Sequence, residues 1–256
     1  INLIIMSGHS HWAGIKQKKE IADRKRGQVF SKLSKEIEVA VRQGGKDPDF
    51  NPRLRLAIER AKDVRMPNEN IERAIKRGAG ELSGRKFEDL LLEAYGPGKT
   101  AIIIEAITDN KNRTLNQIKQ ILLQNKGKLV SEGAVKWMFE RKGCITVKSK
   151  PETKEGKQIN KEDLELLAIE AGAQDLSWNN NLLDIYTKPE DLERVKKNLE
   201  KTGLKIESSS LDWVPKEEIS PDPETRRACQ KLFEALDEND DVQEIYSNLK
   251  PEGSQN

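Results

Sequence analysis

Apolar residues recur at three- and four-residue intervals between Ala22 and Arg42, at Val29, Phe30, Leu33, Ile37, Ala40 and Val41, and Gly44-Gly45 follows them. That spacing gathers the apolar set on one side of a 3.6-residue helix, and the glycine pair supplies a left-handed stop. A second helix is predicted from NPRLRLAIERAKDV. Asn51 caps it, Pro52 takes its first position, and Leu54, Ala57, Ile58, Ala61 and Val64 form its face. The third, NENIERAIKRG, carries Ile71, Ala74 and Ile75 and stops at Gly78. Short turns between the three predict a helical bundle over residues 20–78.

Beyond Gly78 the pattern changes. GAGELSG at 78–84 has few apolar side chains and three glycines, so a hinge is expected there. Two apolar runs then flank Gly96-Pro97-Gly98, as in a β-hairpin, and NRTLNQIKQILLQN restores helical spacing through Leu115, Ile118, Ile121 and Leu122. A strand near 143–148, a helix near 161–172, strands near 174–179 and 182–187, a helix near 189–202 and a strand near 204–213 follow. That βαββαβ order is the ferredoxin-like split unit. KSKPETKEGKQINK inside it reads as a polar loop. A helix near 223–237, the short apolar run DVQEIYSNL and a flexible tail at 250–256 complete the reading.

Charge sharpens the picture. The net charge of +2 conceals +9 on residues 1–86 and −7 on residues 87–256. A basic front and an acidic rear point to a polyanionic partner, with solvation of helix faces as the plainer alternative. Residues 216–256, with 11 acidic and 5 basic side chains, suit solubility better than acid/base work. Cys144 and Cys229 form no CxxC pair, which argues against a zinc site or disulfide framework and for a reducing compartment. INLII is too short for a signal peptide or a membrane span, so Met6 is the expected start and the cytoplasm the expected location.

Catalytic motifs fail on inspection. GKT at 98–100 ends like a phosphate-binding loop, but Glu93 stands where its first glycine belongs and a strand follows where a helix is needed. GAGELSG has the wrong glycine spacing for a dinucleotide fingerprint. Both histidines, His9 and His11, lie near the N-terminus, far in sequence from either cysteine, and lack companion ligands. No enzyme activity, metal, cofactor or small-molecule substrate is therefore expected. What remains is an arm for a polyanion. GHSHW supplies His9, His11 and Trp12, and Lys16, Lys18, Lys19, Arg24, Lys25 and Arg26 are opposed between Ser7 and Gly27 by Glu20 and Asp23 alone. Arg73, Lys76 and Arg77 on the third helix are candidate groove contacts in a helix-turn-helix-like pair, although Glu69 and Glu72 share that helix. In TDNKNRT at 108–114, Asp109 or Asn110 is expected to cap a helix. Arg113, placed unfavourably for the helix dipole in its first turn, is a candidate partner contact beside Asn110.

GHSHWAGIKQKK, RKRGQVFSKL, NPRLRLAIERAK, MPNENIERAIKRGAG, YGPGKTAIIIEAITDNKNRT and GAVKWMFERKG together resemble the YebC/PmpR family, whose mitochondrial relatives are called translational activators of cytochrome c oxidase. The resemblance runs from Met6 to about Leu249. His11, Lys99 and Ala134 stand where the family usually has Lys, commonly Gly and often Ser. It implies an α+β multidomain fold, with an N-terminal helical bundle followed by two α/β (ferredoxin-like) domains, one inserted in the other. The expected division is an arm at 1–19, the bundle at 20–78, a discontinuous α/β domain at 79–135 plus 214–249 and an inserted βαββαβ domain at 136–213. Family members carry the label of DNA-binding transcriptional regulators, and others act in translation at the ribosome. RNA or the ribosome is the preferred partner and duplex DNA the alternative. A monomer is expected because no dimerisation heptad is visible, and the strand GCITVK has no ring to stack a base as an RNA-recognition motif would.

Overall fold

The computed structural model describes residues 23–148, 159–179 and 181–250, with the side chains of 23–25 left aside. His9, His11, Trp12, Lys16, Lys18 and Lys19, the side chains of Arg24 and Lys25, most of the polar loop and the tail from 251 lie outside that description.

Three helices come first: α1 (Asp23–Gly44), α2 (Pro52–Asp63) and α3 (Asn68–Gly78). Val29, Leu33, Ile37, Ala40 and Val41 of α1 bury against Leu54, Ala57 and Ala61 of α2 and Ile71 and Ala74 of α3. Asn51 joins the first two. Its Oδ1 accepts from Leu54 N (3.0 Å), while its Nδ2 donates to the Ala40 and Gly45 carbonyls, both at 2.8 Å. One buried amide thus satisfies an open N–H at the start of α2 and two carbonyls at the end of α1.

The first sheet contains β1 (Glu88–Tyr95), β2 (Ala101–Thr108), β3 (Lys128–Val130) and β8 (Val242–Ser247), in the order β3-β1-β2-β8. The predicted hairpin pairs Glu88 with Thr108 through Tyr95 with Ala101. Its turn holds Gly98 at φ +63, and Thr100 Oγ1 donates to the Pro97 carbonyl at 2.8 Å. GKT is therefore a hairpin turn followed by a strand, without the loop-to-helix geometry of a phosphate-binding loop. Leu92, Ala94, Ile102 and Ile104 on one face pack against α4 (Lys111–Gln124) and α7 (Pro223–Asp237). The last strand returns from the chain's end to pair with β2.

Between β3 and α7 the chain makes a second sheet from β4 (Phe139–Lys148), β5 (Asp175–Asn179), β6 (Leu182–Thr187) and β7 (Ile206–Pro215), in the order β5-β6-β4-β7. All its pairings are antiparallel. With α5 (Lys161–Ala171) and α6 (Leu192–Lys201) this is the ferredoxin-like βαββαβ arrangement, inserted in the first. β4 starts earlier than the apolar pattern suggests, because Phe139 to Lys142 pair with Asp212 to Pro215.

Two expectations about the linker change. Gly78 is buried at the end of α3, and a Cβ there would sit 2.7 Å from the Glu38 carbonyl oxygen, so this glycine permits close helix packing. The bundle is also clasped to the rest of the chain. Lys32–Asp237 (3.0 Å), Lys35–Asp241 (2.8 Å), Arg60–Glu244 (2.6 Å) and Arg53–Asp89 (2.7 Å) bridge it to the first α/β unit, and Arg55–Glu193 (3.4 Å) reaches the second. Residues 79–86 are exposed, but they connect bodies already held together.

Candidate nucleic-acid interface

On α3 the apolar face is spent on α1, which turns Arg73 and Lys76 to solvent. Lys76 and Arg77 occupy the last turn, where their charge complements the helix dipole. Arg77 bends back to Glu38 at 3.3 Å, a carboxylate with 3% side-chain exposure. Burial raises the Glu38 pKa above the usual carboxylate range although Arg77 opposes it. Arg26 is exposed near the start of α1.

The turn between β2 and α4 is the second element. Asn110 is the cap, its Oδ1 accepting from Arg113 N at 3.1 Å. Asp109 instead receives Arg113 (2.8 Å) and Arg85 (3.1 Å). Arg113 also reaches Asp241 Oδ2 at 2.7 Å. The same carboxylate accepts from Thr114 Oγ1 at 2.6 Å and takes Lys35 at 2.8 Å. Burial works against the Asp241 charge, yet hydrogen bonds from Lys35, Thr114 and Arg113 outweigh it and hold the pKa at about 2. A cation in a first turn is thus compensated by two carboxylates, so Arg113 latches three elements together as well as presenting a 41%-exposed edge.

The fold brings Arg77 and Arg113 to one cleft of about 370 Å³, with Lys35, Arg85 and Phe87. Its carboxylates, Glu38, Asp109 and Asp241, are matched to those cations, so the interior of the cleft is close to neutral. Exposed cations outside its lining include Arg73, Lys76 and Lys86, while Arg85, 73% exposed, is shared with Asp109. The sequence reading passed over Lys35, Arg85 and Asp241. Lys35 and Asp241 are 206 residues apart, and nothing local in either segment announces the pair.

A basic three-helix unit joined to two four-stranded antiparallel sheets, the second inserted in the first, defines a three-part α+β protein. Residues 10–81 match the TACO1/YebC protein N-terminal domain and residues 87–249 the TACO1/YebC second and third domain. The chain belongs to the TACO1/YebC family. A Halothermothrix orenii relative named "Probable transcriptional regulatory protein" is 50% identical over 245 residues, 95% of each chain. A Caldanaerobacter subterraneus relative with the same style of name is 47% identical over 247 residues, 96% of this chain and 99% of its own. The crystal structure of a conserved hypothetical protein from Aquifex aeolicus superposes with a TM-score of 0.82 at 48% identity, covering 94% of this chain and 97% of that one. Among the described residues no helix is long and apolar enough to cross a membrane.

Proposed function

We propose that this chain is a non-catalytic, nucleic-acid-binding regulator of gene expression that works as a cytoplasmic monomer on RNA at the ribosome. The observation that carries this reading is the division of charge, +9 on residues 1–86 against −7 on the rest. Part of the basic surplus is consumed by the clasp. The remainder is exposed, on Arg73, Lys76 and Lys86. Phosphate contacts of this kind position a nucleic acid without reading bases, and they suit irregular RNA as well as duplex. The contacts assigned to it are His9, His11, Trp12, Lys16, Lys18, Lys19, Arg24, Lys25 and Arg26 of the arm, Arg73, Lys76 and Arg77 of α3, and Asn110 and Arg113 of the β2–α4 turn.

The test is co-sedimentation with ribosomes at moderate salt, with release by RNase. Neutralising roughly five phosphates gives a counterion-release slope of about −3.5 on single strands. Changing Lys18, Lys19, Lys25 and Arg26 together to Ala should flatten that slope; wild-type affinity and slope on RNA would refute the assignment. A second reading, a DNA-binding transcriptional regulator, is supported by the relatives' names and by the α2–α3 pair. A protein of that kind would keep a preferred duplex site when the arm is neutralised and lose it when Arg73 and Lys76 are changed.

A further inference from the structure

Trp137 stands on the loop between β3 and β4 with 66% of its surface exposed. The loop that carries it is fixed from below. Glu93, on the middle of β1 and 3% exposed, accepts three backbone N–H groups of the loop: Gly133 at 2.6 Å, Val135 at 2.7 Å and Lys136 at 2.8 Å. Burial alone would raise the Glu93 pKa, but these hydrogen bonds reverse the direction and keep it charged. Gly133 turns the chain at φ +84, and the buried Val135 and Phe139 on either side anchor the loop to the sheet beside Tyr246.

The indole itself is oriented. Its Nε1 donates to the Ala134 carbonyl at 3.0 Å, so its hydrogen-bonding capacity is already used within the loop. A tryptophan at a protein interface commonly keeps that donor for its partner. What Trp137 offers is ring face, held without the entropy loss that ordering a mobile side chain would cost. The stretch of chain that carries it is cationic, although Lys136 itself sits over the Trp213 ring at 5.2 Å. Between residues 126 and 137 there are three lysines, Lys126, Lys128 and Lys136, against one carboxylate, Glu132. Lys126 and Lys128 are exposed, and β3 is the outer strand of its sheet. The register places Lys128 opposite Tyr95 and Val130 opposite Glu93, so Lys128 is the diagonal cross-strand neighbour of the residue that braces the loop.

A fixed, exposed ring on a loop that follows an edge strand with exposed lysines offers the two things a single strand needs, a face for a base and charge for its phosphates. We propose that Trp137 is a stacking platform for an unpaired base of single-stranded RNA, with Lys126 and Lys128 contacting the adjoining phosphates. This rests on the RNA reading above and adds a base contact remote in sequence from the arm. Stacking on an aromatic ring tolerates any base, so the platform adds affinity and confers little sequence preference.

The experiment is fluorescence anisotropy of the full chain with a labelled unstructured oligoribonucleotide, across a salt series, alongside ribosome co-sedimentation. Trp137→Ala should weaken oligonucleotide binding about 5- to 100-fold with the salt slope unchanged, and Trp137→Phe should recover most of the loss. A strand in which abasic residues replace the bases should bind wild type and Trp137→Ala alike. Equal affinity of Trp137→Ala and wild type for the intact strand would overturn the platform while leaving the arm's RNA role standing. Wild type with no affinity for RNA would overturn the RNA reading itself. A Trp137→Ala chain that keeps its oligonucleotide affinity but leaves the ribosome would mean a protein partner, which also overturns the proposal.

Discussion

Asp241 offers the sharpest test of how the bundle is held. Its carboxylate takes Lys35 from α1, Arg113 and Thr114 from α4 and lies at the entry to β8. With the pKa at about 2 in the fold against a reference of 3.8, the group binds fewer protons folded than unfolded through the acid range. The sign is that of a depressed carboxylate. Its stabilisation is complete above pH 3.8, falls as pH drops through the folded value, and is about half present near pH 3. The full shift corresponds to about 2.5 kcal/mol, which solvent screening at the cleft mouth reduces to about 1 to 2 kcal/mol. Asp241→Asn removes that and also leaves Lys35, with 13% side-chain exposure, without its carboxylate. The total cost at pH 7 is therefore about 2 to 4 kcal/mol. Urea unfolding of wild type and variant at pH 7, 5, 4, 3 and 2.5 measures it. The gap should be constant down to about pH 4 and narrow steadily below. A gap under about 0.5 kcal/mol at pH 7, or one that does not narrow in acid, would refute the argument.

Two further outcomes follow from burial. Asp212 lines the cavity of about 410 Å³ where the three units meet, and burial raises its pKa to about 6 despite Ser210, Arg141 and Arg60. The raised value makes its charge a cost above pH 6 that vanishes below about pH 4. Asp212→Asn should accordingly stabilise the protein by about 1 to 3 kcal/mol at pH 7.5 and not at pH 4, and a variant destabilised at both would contradict this. Gly78→Ala should cost about 1 to 3 kcal/mol by pushing α3 off the Glu38 carbonyl, whereas a true hinge glycine would tolerate it; thermal melts distinguish the two.

Periodicity exposed the helices because each buries one stripe. Val29, Leu33 and Ile37 are as readable in the chain as in the fold. The hairpin was legible for a related reason, since Gly96-Pro97-Gly98 interrupts two apolar runs that pair residue for residue. The early part of β4 was hidden, because its Phe139 to Lys142 stretch is ordered by β7 more than 60 residues away. Charged side chains were the least legible. A lysine on a helix face looks the same in sequence whether it meets water, RNA or a carboxylate brought in by topology. Arg113 shows the difficulty: its place in a first turn pointed to a contact with an external partner, whereas in the fold Asp109 and Asp241 of the chain itself compensate its charge.

On the proposed reading the division of charge has two uses, and most of the cations committed to one are withdrawn from the other. Lys32, Lys35, Arg53 and Arg60 of the basic front meet Asp237, Asp241, Asp89 and Glu244 of the acidic rear, so part of the polarity is an adhesive between the bundle and the α/β units. Burial works against the Arg60 charge, but Glu36 and Glu244 outweigh it and raise its pKa, so this cation is committed to the interior. Cations available to a phosphate backbone are the outward ones, and those are the more strongly screened by salt. Raising ionic strength should therefore release a bound polyanion well before it loosens the clasp. The order follows from exposure where the contrast is large, since Arg73 and Lys76 are exposed and Lys32 is only 4% exposed, and the 38%-exposed Arg53 is the part of the clasp that salt reaches first. On the proposed reading, a protein built in this way exchanges its nucleic-acid partner while the clasp keeps the bundle against the α/β units.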